Sequence, residues 1–255
     1  MHTGQITEHF DVAFMTLQVF FLFFAGLIVY LRREDKREGY PLVGERPGET
    51  AHGIFPATPA KKTFLLHDGS TVTVPRDIPE RTLALKQAPG QLGGTPNVPT
   101  GNPLRDAVGP AAYALRQDHP DESWEGEARI VPLRVAKDFW IDPRDPDARG
   151  WEVVAADGKV AGTVKEAWID RVEPQVYYYE VAIAGGQVVI LPARLAVVDD
   201  SANKLLVESI TAAQFADVPR LKNPNQITLL EEDKISGYFA GGHLYAEPSR
   251  QDPIV

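Results

Sequence analysis

A chain of 255 residues with 44% hydrophobic content has enough apolar surface for one large or two modest folded domains, which excludes disorder as its general state. Its formal net charge of −9 argues against a nucleic-acid partner. With no cysteine there is no disulfide framework, thiol nucleophile or thiolate metal site.

The stretch Val12 to Leu31, "VAFMTLQVFFLFFAGLIVYL", carries no charge over twenty residues. At ~1.5 Å per residue it reaches about 30 Å, the thickness of a bilayer's hydrocarbon core, so it reads as one transmembrane helix. A secretory signal peptide would start with basic residues, whereas Glu8 and Asp11 precede this segment. Seven consecutive charged residues, Arg32 to Glu38, follow it, which is foreign to a buried core helix. No Lys or Arg precedes the span, but Arg32, Arg33, Lys36 and Arg37 come directly after it. The positive-inside rule therefore predicts residues 1–11 outside and the bulk of the chain in the cytoplasm. That cytoplasmic part stays acidic, since only Glu8 and Asp11 of the 35 acids lie before the span. The expected lipid-headgroup residues are Arg32, Arg33, Lys36, Arg37 and Tyr40, at about 1 kcal/mol per cation near an anionic surface, diluted by Glu34, Asp35 and Glu38. The alternative is a solvated collar that only stops the helix.

Residues 32–110 hold many of the 21 prolines and 21 glycines and read as an extended segment hugging a surface. Within it, "KTFLLHDGSTVTVP" predicts a hairpin, with runs Thr63–Leu66 and Ser70–Val74 flanking Asp68-Gly69, a dipeptide suited to positive φ. From Ala128 onward, "ARIVPLRVA", "WEVVAA", "KVAGTVKEAWID", "QVYYYEVAI", "QVVILPARLAVV" and "KLLVESI" are strand-like runs separated by turn residues. They predict a mainly β domain over residues 111–255, a small antiparallel barrel or sandwich. Thr228 and Glu231 form a capping-box pattern, so a helix is expected over about 229–240, stopped by Gly241-Gly242.

Catalytic signatures are missing: there is no P-loop, no dinucleotide fingerprint, no His-Glu-x-x-His and no Gly-x-Ser-x-Gly. His2, His9, His52, His67, His119 and His243 are scattered without ligand spacing, so no metal site held by this chain is expected. Carboxylates remain. "WIDRVEP" sets Asp170 and Glu173 at a turn beside Tyr177, Tyr178 and Tyr179. Either this is a polar hairpin tip, or a carboxylate at a protein boundary whose pKa rises toward neutrality and which passes protons. Asp118, Asp121, Glu122, Glu125 and Glu127 form a second acidic run, read as a solvated loop or a proton-collecting surface.

Taken in order, "YLRREDKREGYPL", "KTFLLHDGSTVTVP", "PTGNPLRDAVGPAAYA", "IVPLRVAKDF", "GTVKEAWIDRVE" and "FADVPRLKNPNQITLLEEDKISGYFAGGHLYA" resemble the H subunit of the photosynthetic reaction centre of purple bacteria. The resemblance runs from residue 11 to about 248. It implies a single helix beside the L and M subunits and a cytoplasmic domain with the family's small barrel. That domain would cover the quinone side in the bacterial inner membrane. It also implies that bacteriochlorophyll, bacteriopheophytin, quinones and non-haem iron are carried by L and M, with none bound by this chain, which would be non-catalytic. Light-harvesting and cytochrome subunits and anionic lipids are further implied partners. Glu173 matches the family's inner proton-path glutamate and Asp170 its neighbouring acid. Glu125 and Glu127 stand where some members have two histidines at the proton entrance, and Tyr177 where some have an arginine. A glutamate's reference pKa of ~4.3 suits proton collection at neutral pH less well than the ~6.5 of histidine. A membrane-tethered barrel module binding a partner or lipid, with no photosynthetic role, is the other function open to this sequence.

Overall fold

The computed structural model describes residues 4–7, 10–40, 42, 55–76, 82–88 and 96–251. His2, His9, His52 and Glu8, and most of the proline- and glycine-rich run after Tyr40, lie outside them. Two compact units divide the chain, Met1–Arg81 with Leu92–Gly94 and Thr82–Gln91 with Thr95–Val255.

In the first unit, β1 (Gln5–Thr7) and β2 (Phe10–Asp11) precede α1, Val12–Glu34. Asp11 caps the helix by accepting the Phe14 N–H at 2.6 Å, which satisfies one of the donors a helix start leaves unpaired. None of the residues of α1 is buried, and an apolar helix open all round is suited to lipid rather than water. A short 3-10 turn, Asp35–Arg37, continues it. The hairpin follows as β3 (Lys62–Leu65) and β4 (Thr71–Val74), in register Lys62↔Val74 to Leu65↔Thr71. Its loop closes through Leu66 N–H to Ser70 O at 2.8 Å, with Gly69 at φ +81°. Asp68 accepts from the Ser70 amide and hydroxyl, so the dipeptide seen in the sequence does turn the chain.

The second unit opens with β5 (Leu85–Gln87) paired to β6 (Asn97–Pro99), then a single turn of helix, α2 (Pro103–Asp106). Leu104 and Ala111 belong to its core, and the two compact units part near Arg81. Its sheet contains β7 (Ile130–Pro132), β8 (Glu152–Ala155), β9 (Val160–Asp170), β10 (Gln175–Ile183), β11 (Val188–Pro192), β12 (Val197–Asp199) and β13 (Lys204–Val207). The strand order is β11-β10-β9-β8-β13-β12, with β7 on the far end of β9. All pairs are antiparallel except β8 with β13, and among the described residues no hydrogen-bonded pairing closes the sheet into a barrel. Alternation along β8, β9 and β13 sends Val153, Val164, Trp168, Leu205 and Val207 inward, each at 2% exposure or less.

The second unit's helix, α3, runs Leu229–Tyr245 behind a reciprocal Thr228–Glu231 capping box. It passes through Gly241-Gly242, which were expected to stop it. Both glycines are buried, and a Cβ on Gly241 would sit 2.8 Å from Ala111 Cα while one on Gly242 would sit 2.8 Å from the Ser209 carbonyl carbon. They are small because chain presses against them, and that packing outweighs their poor helix propensity.

Candidate functional site

The turn joining β9 to β10 gathers the carboxylates. Asp170 ends β9, and its side chain is only 1% exposed. Pairing of β7 with the end of β9 sets Ile130 opposite Asp170 and so brings Arg129 beside that carboxylate. Arg129 Nε donates to the two Asp170 oxygens at 2.9 and 2.8 Å, and its Nη2 lies 2.6 Å from Oδ2. The amides of Val172 and Glu173 donate to the same Asp170 oxygen at 2.8 and 3.1 Å. Burial alone would push the Asp170 carboxyl up, but Arg129 and the two amides outweigh it and hold it below the usual carboxylate range. The expectation of a pKa raised toward neutrality is therefore reversed at Asp170 within this chain. The Asp170 carboxylate first, with the Asp121 and Glu173 charges, pushes the Arg129 guanidinium further up, so this ion pair stays charged.

Glu173 lies one step outward. Its carboxylate approaches Arg129 Nη2 at 3.6 Å, and its side chain is 65% exposed. Asp121 approaches the other terminal nitrogen of Arg129 at 3.5 Å, so one guanidinium ties three acids together. Glu127 pairs with Arg171 of the same turn at 2.5 Å. Glu125 is exposed in the loop that Gly126, at φ +80°, folds back, where its own amide donates to Ser123 Oγ at 3.2 Å. Glu125 and Glu127 line one depression of about 540 Å³ with Trp124, Arg171 and Val172. Asp118 is turned away toward Lys222 and Thr228. Tyr177 carries the Arg194 guanidinium 5.3 Å from its ring centroid, so an arginine lies near position 177 although it comes from another segment.

A further acid was not picked out from the sequence. Tyr178 donates its hydroxyl to Glu232 Oε2 at 2.8 Å, and burial first, with the neighbouring Asp121 and Asp233 charges, pushes the Glu232 carboxyl up against the pull of Tyr178 and Arg116. The available signal was helical spacing, because Glu232 shares the face of Ile235, Ser236 and Phe239 on α3.

In the first unit, the five headgroup candidates separate. Arg32 lies 3.9 Å from Asp35 with both side chains about two-thirds exposed, and Arg33 is exposed too. Lys36 is buried, donates to the Pro56 carbonyl and lies 5.4 Å from the centroid of the half-buried Tyr40 ring. Arg37 binds both Glu34 oxygens at 2.8 and 2.9 Å, donates to Ala60 O at 2.8 Å and Val74 O at 3.3 Å, and covers the Phe64 ring. The 3-10 turn swings these two cations onto the chain's own carbonyls, leaving Arg32 and Arg33 open.

Among the described residues no three His, Asp or Glu side chains are grouped to hold a metal ion. The family described as photosynthetic reaction centre, H-chain N-terminal region, matches residues 4–135, just over half the chain. The chain belongs to the reaction-centre H-chain family. A PRC-barrel domain matches residues 141–214, which takes in β8 to β13. The H chain is thus a subunit of the photosynthetic reaction centre, associated with L and M through a family that is structural and non-catalytic. Among the described residues one helix is long and apolar enough to cross a membrane, which with the family suggests a single-pass protein of the bacterial inner membrane. This sets aside a barrel module with no photosynthetic role.

Proposed function

We propose that this H chain caps the quinone side of the L/M core and passes protons toward the secondary quinone through the β9–β10 turn, with residues 1–11 periplasmic and the second unit cytoplasmic. The supporting observation is the Asp170–Arg129–Glu173 group, a buried ionised carboxylate beside an open one on a single turn. Reduction of a quinone to a quinol consumes protons, and a site sealed from bulk water receives them along titratable groups and ordered water. Asp170 is a poor carrier because Arg129 and two amides favour its charged form. It anchors the guanidinium and shapes the turn, while the proton step falls to Glu173. Glu125 and Glu127 form the entrance, where their charge draws protons to the depression they line. The pigments, quinones and non-haem iron reside on L and M, a light-harvesting ring and a cytochrome subunit are further partners, and Arg32 and Arg33 hold anionic lipid phosphates.

The test is Glu173→Gln in the whole complex. The second electron transfer to the quinone, timed by flash spectroscopy, is expected to slow by about tenfold or more near neutral pH, since a positioned acid–base group contributes ~10²-fold upward. A rate equal to that of the unsubstituted complex from acid to alkaline pH would remove Glu173 from the path.

A further inference from the structure

The turn between Asp121 and Arg129 holds a tryptophan in the open. Trp124 is 96% exposed, yet the backbone beneath it is closely tied. The Ser123 N–H donates to Glu127 O at 2.7 Å, the Gly126 N–H to Ser123 O at 3.0 Å and the Arg129 N–H to Asp121 O at 2.8 Å. These bonds fix where the indole stands while almost none of it is covered. A large rigid ring buries much surface at little entropic cost, which is why tryptophan so often anchors protein interfaces. Trp124 forms one side of the depression of about 540 Å³, and Val135, Phe139 and Val172 give it apolar walls. Trp140, next to Phe139 in the chain, is 78% exposed as well.

The surrounding charge selects what can settle there. Arg171 in the lining is paired with Glu127, which leaves Glu125 and Asp138 against Lys137. From Asp118 to Asp147 the chain has nine acidic residues and four basic ones. An anionic lipid surface, a nucleic acid and a second copy of the same face are all repelled by such a surface. A basic group is drawn to it, and the face of an indole adds its own attraction for a guanidinium or an ammonium.

We infer that this face is a docking surface for a basic segment of a soluble protein, in which an arginine or lysine lies over Trp124 with Glu125 and Asp138 as counter-charges and an adjoining apolar side chain rests against Val135 and Phe139. Because the turn is already fixed, little of this chain has to be ordered when the partner arrives. Charge at an exposed rim steers the encounter and is screened by salt, so the contact is a transient one. Docking here is independent of proton passage at Glu173, and failure of either leaves the other standing.

The whole complex, placed in nanodiscs of phosphatidylcholine alone so that the lipid carries no net charge, is titrated against a fluorescein-labelled peptide of repeated Arg-Leu-Gly units and followed by anisotropy. Trp124→Ala is expected to weaken binding about threefold or more and Glu125→Lys about tenfold or more. Asp200→Asn, which removes a charge from the exposed β12–β13 turn, is expected to leave the affinity within about twofold of the unsubstituted complex. A peptide with glutamate in place of arginine is expected not to bind. Absence of binding to the unsubstituted complex would overturn the inference, since it would mean that another subunit covers this face. Equal affinity for the Trp124→Ala and unsubstituted complexes would overturn it too, because charge alone would then account for the attraction. Binding of the glutamate peptide as tightly as the arginine one would overturn the choice of a basic partner. Glu125→Lys gives an independent reading should the Trp124 variant fail to assemble.

Discussion

Truncating Arg129 to methionine would leave the Asp170 carboxylate at 1% exposure without its counter-charge. Removing one partner of a buried pair costs ~3–5 kcal/mol, and with Arg129 itself 26% exposed about 2–3 kcal/mol is expected, measured as the loss in a urea titration of the chain in detergent. The acid limb should follow Asp170. Its folded pKa lies below the unfolded value of ~3.9, so its contribution is complete above that value and is lost as pH falls through the folded one. Asp170→Asn should therefore lower stability at neutral pH and flatten its decline on acidification. Glu232 has the opposite sign. Its folded pKa is raised, so the protonated form is favoured in the fold and stability decreases as pH rises from the unfolded value through the folded one. Glu232→Gln, which keeps an acceptor for Tyr178, should raise the melting temperature at pH 8 relative to the native chain and leave it unchanged at pH 4. Asp170 and Glu173 were legible as turn acids beside a strand. Their tie to Arg129 was not, because it depends on β7 pairing with β9 across a sequence separation of 41. Lys36 and Arg37 were legible as basic residues, but charge alone does not say that backbone carbonyls of the returning chain compete with lipid for them.

Among the elements, α3 separates what local patterns carry from what packing decides. Its start was legible, since a capping box is satisfied by residues three apart and needs no distant partner. Its end was not, because glycine marks a stop in an open helix and a close contact in a packed one. Gly241→Ala gains up to about 1 kcal/mol of helix propensity. Its Cβ would nonetheless meet the Ala111 backbone nitrogen at 3.0 Å and Cα at 2.8 Å, neither of which can yield without moving the chain. A net loss of about 1–2 kcal/mol is expected from such overpacking, read as a lower melting temperature in circular dichroism. A gain in melting temperature would restore the reading of this pair as a plain helix terminator. Thr228→Ala removes the Oγ that caps Glu231 N and should cost about 1 kcal/mol in the same assay. The strands of the β3–β4 hairpin and from β7 onward were legible for the reason the capping box was, as alternation and turn residues are local, whereas the short β5–β6 pair was not read. The one parallel pair was not, because β8 and β13 are distant in sequence and nothing in either run states its direction.

At the scale of the whole molecule, the two compact units carry different chemistry. The first is an apolar helix with a hairpin at its end, and the second contains the buried core, from Leu104 on α2 to Phe239 on α3. A fragment of residues 82–255 should consequently fold without the helix and unfold in one cooperative transition followed by the fluorescence of the buried Trp168. A broad, non-cooperative transition would show that the membrane-bound unit is required for that core. The parallel register of Glu152–Ala155 with Lys204–Val207 sets an order of events during synthesis. While the ribosome has not yet released Val207, β8 can pair with β9 but keeps its other edge open, and non-local pairing of this kind is slow to form. The spanning helix by then has long been made. The chain thus enters its bilayer as an inserted helix trailing an unfinished sheet, and a neighbouring subunit can take hold of the helix before the domain behind it has closed its middle seam.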